Sequence, residues 1–203
     1  MKFIFNDRNR AICDVFSHAL QGTLPNLEVR HCNFEAISKD DYKILFTPGN
    51  SYGQMTGGFD LAVRNVWPAA EAYVQMAISE SRNGMLAVGD YVMVGLHAAM
   101  SLIPQKRLIY TPTMRIPMVI AGTENVYWAY RAAFQALEGA ARGMIFTDED
   151  AVLIPAFGTS AGHMDPLKAA MQCRLAYEHV HRPPVEVTSQ QMFADHQAIA
   201  QWI

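Results

Sequence analysis

Positive charge is scarce in this sequence. Its 16 Lys and Arg fall short of 19 Asp and Glu, giving a formal net charge of −3, and no basic run occurs. A protein that lives on duplex phosphates carries a basic face, so a nucleic-acid duplex is not the expected partner. Cysteine is scarcer still: Cys13, Cys32 and Cys173 stand far apart, with no Cys-x-x-Cys pair. An odd count at such spacing suits a reducing compartment better than a secreted disulfide scaffold. Long apolar runs are missing too. The start, MKFIFNDRNR, turns polar after five residues, too soon for the apolar core of a signal peptide. The most apolar stretch, 114–126, is broken by Arg115, Pro117, Gly122 and Glu124, whereas a membrane span needs roughly 18–20 apolar residues. The expectation is a soluble, cytoplasmic protein with no membrane partner. Gly and Pro, 13 and 10 of 203 residues, are near average, which excludes collagen-like and linker-dominated chains.

What remains is the composition of a compact globule, 51% hydrophobic and 17% charged. A chain of this length buries about 70% of its unfolded surface and needs no disulfide or metal staple. Short apolar runs at 2–5, 27–34, 43–46, 87–96, 108–111 and 151–157 read as strands; the last is nearly all apolar, the pattern of a strand buried on both faces. Helical spacing of apolar residues predicts helices over 10–20, stopped by Gly22, and over 125–142, stopped by Gly143. A third, over 59–79, must kink or divide at Pro68. Asp165-Pro166 opens a fourth that runs to about residue 180, with an N-cap and a first-turn proline in their favoured places. Residues 112–123 read as loop, 185–187 as an edge strand and 189–203 as a short amphipathic helix. No repeat or linker is evident, so one α/β domain over 1–203, built on a largely parallel, helix-covered sheet, is expected.

Two loops follow buried strands, and in such sheets ligands sit beyond strand C-termini. The first runs from Phe46 to Asp60 and is rich in glycine; Gly57 and Gly58 precede a helix start, where backbone N–H groups can be left free to face an anion. The second, Ala156-Phe-Gly-Thr-Ser-Ala-Gly-His163, repeats the pattern. Side by side, the two could hold a diphosphate without any lysine. The usual nucleotide fingerprints, Gly-x-x-x-x-Gly-Lys-Ser/Thr and Gly-x-Gly-x-x-Gly after the first strand, are absent. Metal ligation is not expected either: His179 and His181 lie at a helix end, where cations suit the dipole, while His18, His31, His97 and His196 are isolated. Gly158-Thr159-Ser160-Ala161-Gly162 fits Gly-x-Ser-x-Gly, the nucleophile elbow of serine hydrolases. Such an elbow starts its helix at once, whereas here the helix waits for Asp165-Pro166. The alternatives to a nucleotide binder are thus a serine hydrolase using Ser160 and a non-catalytic interaction protein.

Taken together, these segments resemble the macro domain, and more closely its macro-like members in bacteria and phages. Thr47-Pro-Gly-Asn50 and Thr56-Gly-Gly-Phe-Asp60 correspond to the family's Asn-Ala-Ala-Asn and Gly-Gly-Gly-Val-Asp stretches. Gly158-Thr-Ser-Ala-Gly162 corresponds to its Gly-Thr-Gly-x-Gly loop, and 110–117 to the phage-type subgroup. The resemblance spans about 27–180, leaving an N-terminal βα unit and a short C-terminal tail outside it. It implies a three-layer α/β/α sandwich around a mixed, mostly parallel sheet, with a cleft for ADP-ribose or a related nucleotide and no further cofactor. Asn33 and Phe34 then fall at the adenine, Asn50 bonds the distal ribose, and Pro48 and Gly49 are further ligand-binding residues. Gly57, Gly58 and Phe59 form the first phosphate loop; Gly158, Thr159, Ser160, Ala161 and Gly162 wrap the diphosphate, with His163 at the mouth. In hydrolytic members an asparagine and an aspartate activate water, parts that fall to Asn50 and Asp60, with an ADP-ribosylated protein as the acceptor-bearing partner.

Overall fold

The computed structural model describes residues 1–96, 106–143, 147, 149–183 and 186–203. Six strands form one sheet in the order β2-β1-β6-β3-β5-β4. They are β1 (Lys2–Asp7), β2 (Leu27–His31), β3 (Ile44–Asn50), β4 (Val92–Leu96), β5 (Lys106–Met114) and β6 (Ala151–Pro155). Every pairing is parallel except β4 with β5, which is antiparallel at the edge. Helices α1 (Arg10–Leu20), α4 (Asn125–Arg142) and α5 (Pro166–Val180) pack on one face. On the other lie α2 (Gly58–Val66) and α3 (Ala70–Arg82). A last helix, α6 (Ser189–Ala200), packs on α5.

Alternation along the strands builds both interfaces. Phe3, Phe5 and Phe46 point to the α1/α4/α5 face, where Phe134 and Phe16 meet them. Leu45 and Tyr110 point to the opposite face, against Val63, Trp67 and Val74. Side-chain period 2 in strands makes this division automatic. The result is the three-layer α/β/α sandwich with a mostly parallel sheet.

The helix over 59–79 is divided at Pro68, with α2 ending before it and α3 starting after it. Several strand readings change: the strand over 27–34 stops at His31, before a 3-10 turn at Phe34–Ala36, and the one over 151–157 stops at Pro155. Pro112 does not end the fifth strand: β5 continues to Met114 because β4 begins at Val92, opposite Tyr110, so beyond Tyr110 the strand has β3 alone as neighbour. A proline is tolerated on such a one-sided stretch. Conversely, residues 87–91 form a turn rather than strand, with Gly89 at φ 92. The edge strand expected at 185–187 and His97 fall partly or wholly outside the described residues. Among those residues, no helix is long and apolar enough to cross a membrane.

Candidate functional site

The C-terminal ends of β1, β3, β5 and β6 open on one cleft of about 820 Å3. Its two walls are the segments that follow β3 and β6.

The first wall hangs from the tip of β3. Register with β5 slips between Gly49 and Asn50, so that Asn50 pairs with Met114. The buried Tyr110 hydroxyl fixes that tip: it accepts from Asn50 N–H at 2.8 Å and donates to Asn50 C=O at 2.7 Å. A Cβ on residue 49 would overlap the Tyr110 hydroxyl, so the position requires glycine. The Asn50 side chain then folds the next residues. Its Oδ1 accepts from Tyr52 N–H (3.0 Å) and Gln54 N–H (3.4 Å), and its Nδ2 donates to Gln54 C=O (2.7 Å). Met55 N–H donates to Glu71 at 2.9 Å, and Arg64 holds the other Glu71 oxygen at 3.1 Å.

At the start of α2, Gly58 adopts a left-handed φ of 60. Among the described residues, no protein acceptor takes the N–H groups of Gly58, Phe59 or Asp60. Asp60, 7% exposed, turns its Oδ1 back to accept from Gly57 N–H at 3.3 Å. Burial pushes its carboxyl up to about 7; the Gly57 and Leu61 N–H groups pull it down, Glu71 pushes it further up and Arg64 opposes that.

The second wall is built by packing. Gly158 has φ 75, and a Cβ there would come within 2.6 Å of Val126; one on Gly162 would lie 2.6 Å from Gly158 O and 2.7 Å from Ile120. The carbonyls of this segment point into the protein. Gly158 O accepts from Met164 N–H (3.0 Å), Ser160 O from His163 N–H (3.0 Å) and Gly162 O from Ile120 N–H (2.9 Å). The N–H groups of residues 158–162 have no acceptor among the described residues. At the root, Tyr130 repeats the Tyr110 device: its hydroxyl accepts from Phe157 N–H at 3.0 Å and donates to Pro155 C=O at 2.7 Å.

The walls face each other closely, since a Cβ on Gly58 would sit 3.6 Å from Ser160 Oγ. Two rows of N–H groups without protein acceptors thus lie across a narrow gap, an arrangement chemically able to receive an anionic group. Among the described residues, Arg8 is the one cationic side chain lining the cleft, against Asp7, Glu35 and Asp60. With so little cationic side chain on either wall, the donors available to an anion are chiefly main-chain N–H groups.

Pro48, Gly49, Asn50, Gly57, Gly58, Phe59 and Asp60 line the cleft from the first wall. Gly158, Thr159, Ser160, Ala161 and Gly162 line it from the second, and Asn33 and Phe34 close one end. His163 is not among the lining residues; it is exposed at φ 50, just beyond the turn. The sequence offered no sign of the β1 end, where Asn6, Asp7, Arg8 and Asn9 enter the cleft. Asn9 also caps α1, its side chain accepting from Ala11 N–H. Parallel β1 lies between β2 and β6, which brings its C-terminal end to the site. Thr113, Met114 and Pro117 form the opposite end.

Ser160 is no nucleophile elbow. Its loop runs on past His163 before Asp165 caps α5 through Leu167 and Lys168 N–H, and among the described residues no histidine bonds its Oγ. His179 and His181 each have protein partners, Tyr127 for the first and Tyr177 O and Glu138 for the second. Among the described residues no group of three or more His, Cys, Asp or Glu is arranged to hold a metal.

Several solved structures that superpose on this chain are macro domains. The Mycobacterium tuberculosis DarG macrodomain superposes with TM-score 0.52 at 16% identity, over 70% of this chain and 84% of that one. A mutant of the Oceanobacillus iheyensis macrodomain, solved with ADPR, gives 0.56 at 12% identity, over 84% and 89%. Thermosipho africanus DarTG in complex with ADP-ribose gives 0.53 at 13% identity, over 97% of this chain and 56% of that one. The chain therefore has the macro domain fold. No family model matches the sequence, and no curated protein is significantly similar to it in sequence.

Proposed function

We propose that the cleft binds ADP-ribose or a closely related ADP-ribosyl nucleotide. One observation carries this reading: free main-chain N–H groups of residues 58–60 and 158–162 line opposite walls of one narrow cleft. A diphosphate matches that arrangement in charge, in acceptor number and in needing no lysine. Phe34 and Phe59, with ring centroids 4.9 Å apart, give the Asn33 end apolar surface for a base. Two of the similar structures were solved with ADPR or ADP-ribose, which favours the same ligand class. The β1 end contributes to this cleft, so we read residues 1–203 as one functional unit.

Hydrolytic release of ADP-ribose from a modified protein is a second reading, and Asp60 is what favours it. A carboxyl poised near 7 in a cleft suits a general base. Asn50 fits a catalytic role less well: both ends of its amide hold residues 52–54, leaving one Nδ2 hydrogen for a ligand.

Calorimetric titration with ADP-ribose tests the binding reading: saturable one-to-one heat supports it, and none up to millimolar ligand overturns it. Turnover of an ADP-ribosylated protein that Asp60→Ala abolishes, with binding retained, assigns the base. Wild-type binding without turnover leaves a reader of the modification.

A further inference from the structure

Asn6 stands near the C-terminal end of β1, its backbone paired with Arg30 on one side and Pro155 on the other. It lines the cleft yet is 2% exposed. A carboxamide so deeply placed needs partners for its polar atoms. Its nitrogen has them: Nδ2 donates to the backbone carbonyls of Arg30 at 3.1 Å and Cys32 at 2.9 Å. Both carbonyls accept only, so they dictate which end of the amide is nitrogen. A flipped amide would press its oxygen against two other oxygens.

That leaves Oδ1 turned away from those carbonyls, with no donor among the described residues. Nor is it sealed in the protein. Among the described residues, the buried side-chain oxygens and nitrogens without a partner are Thr47 Oγ1, Thr111 Oγ1 and Trp202 Nε1. Asn6 Oδ1 therefore keeps surface, and the surface Asn6 lines is the cleft. The same end carries Phe34 and Ile12, apolar surfaces suited to a flat heterocycle. Asn33 is also there, but its side chain makes no capping bond. It is free to present oxygen or nitrogen, so it does not by itself choose between donor and acceptor.

We infer that Asn6 Oδ1 is a specificity determinant, a fixed acceptor that selects a 6-aminopurine base over a 6-oxopurine. This rests on the nucleotide reading above and deepens it. An exocyclic amine satisfies the locked oxygen, whereas a carbonyl at the same place opposes it. A site with a committed polar group rejects the analogue that cannot pair with it.

The test titrates the full chain with ADP and IDP, and with ADP-ribose and its hypoxanthine counterpart. The amino ligands should bind roughly tenfold tighter or more. Asn6→Ala should collapse that preference to within about threefold with little change for the oxo ligands, and Asn33→Ala should keep it. Asn6 also fastens β1 to the end of β2, so a wild-type measurement stands beside the variant. The side-chain amide resonances of Asn6 should shift with ADP and stay put with ribose 5-phosphate. Equal affinity for amino and oxo ligands, an unchanged preference in Asn6→Ala, or a motionless Asn6 amide overturns the inference while nucleotide binding stands. If ADP-ribose itself does not bind, the nucleotide reading falls and the inference falls with it.

Discussion

The two walls of the cleft present the same chemistry and are held by different forces. The wall after β6 is shaped by contact: Gly158 and Gly162 lie where Val126, Ile120 and neighbouring backbone leave no room for a methyl group. The wall after β3 is hung on polar side chains, Asn50, Glu71 and Asp60, and around Gly57 there is open space. A wall made by packing tolerates pH and resists substitution. A wall made by buried polar groups leaves room for added atoms beyond its root at Gly49, as at Gly57, and responds to protonation. The contrast can be pressed from both sides.

The largest effect belongs to Asp60. Its carboxyl sits at about 7, raised from an ordinary 3.8, so the folded state keeps a proton that the unfolded state surrenders at lower pH. Stability from that proton is present below about pH 4 and drains away as pH rises through 7. A gap of this size corresponds to roughly 4 kcal/mol at most. Asp60→Asn should therefore be more stable than wild type at pH 8 and close to it at pH 4. Urea unfolding at the two values reads the difference, and a pH-independent difference would remove Asp60 as the source.

Gly158→Ala comes next. A left-handed φ and a Cβ overlapping Val126 should together cost about 3 kcal/mol, at every pH. Thermal melts at pH 5 and 8 separate this steric loss from the titrating one on the opposite wall. The tyrosine pair follows. Tyr110→Phe and Tyr130→Phe each strip a buried hydroxyl from a strand tip, and each should cost about 1–3 kcal/mol. Nucleotide affinity should fall more in Tyr110→Phe, because Asn50 and the hung loop follow that tip, whereas packing still shapes the other wall. Equal affinity losses would erase the distinction. Smallest of all, Gly57→Ala, at an extended φ of −161 with nothing near, should change stability by under about 0.5 kcal/mol.

These details divide into what the sequence displays and what only the fold assembles. Periodicity, caps and breakers act locally, which is why Pro68, Gly143 and Asp165-Pro166 mark helix boundaries that the structure keeps. The paired small-residue loops were visible for the same reason: each sits between a buried strand and a helix start. What stayed hidden was set by neighbours distant in the chain. Pro112 lies inside a strand because β4 stops short of it. Gly49 is needed because Tyr110, 61 residues away in sequence, fills the space of its side chain. Asn6 reaches the site because the sheet order sets β1 between β2 and β6. His163, adjacent to the right loop, turns outward because the tight turn places it in a left-handed conformation.

The central claim is that both walls grip one diphosphate through bare N–H groups. Backbone amide resonances followed during titration with ADP-ribose address it directly. The amides of Gly58, Phe59 and Asp60 and those of residues 158–162 should shift together along one saturation curve. Shifts confined to one wall, two separate curves, or no shift on either wall at saturating nucleotide would contradict it.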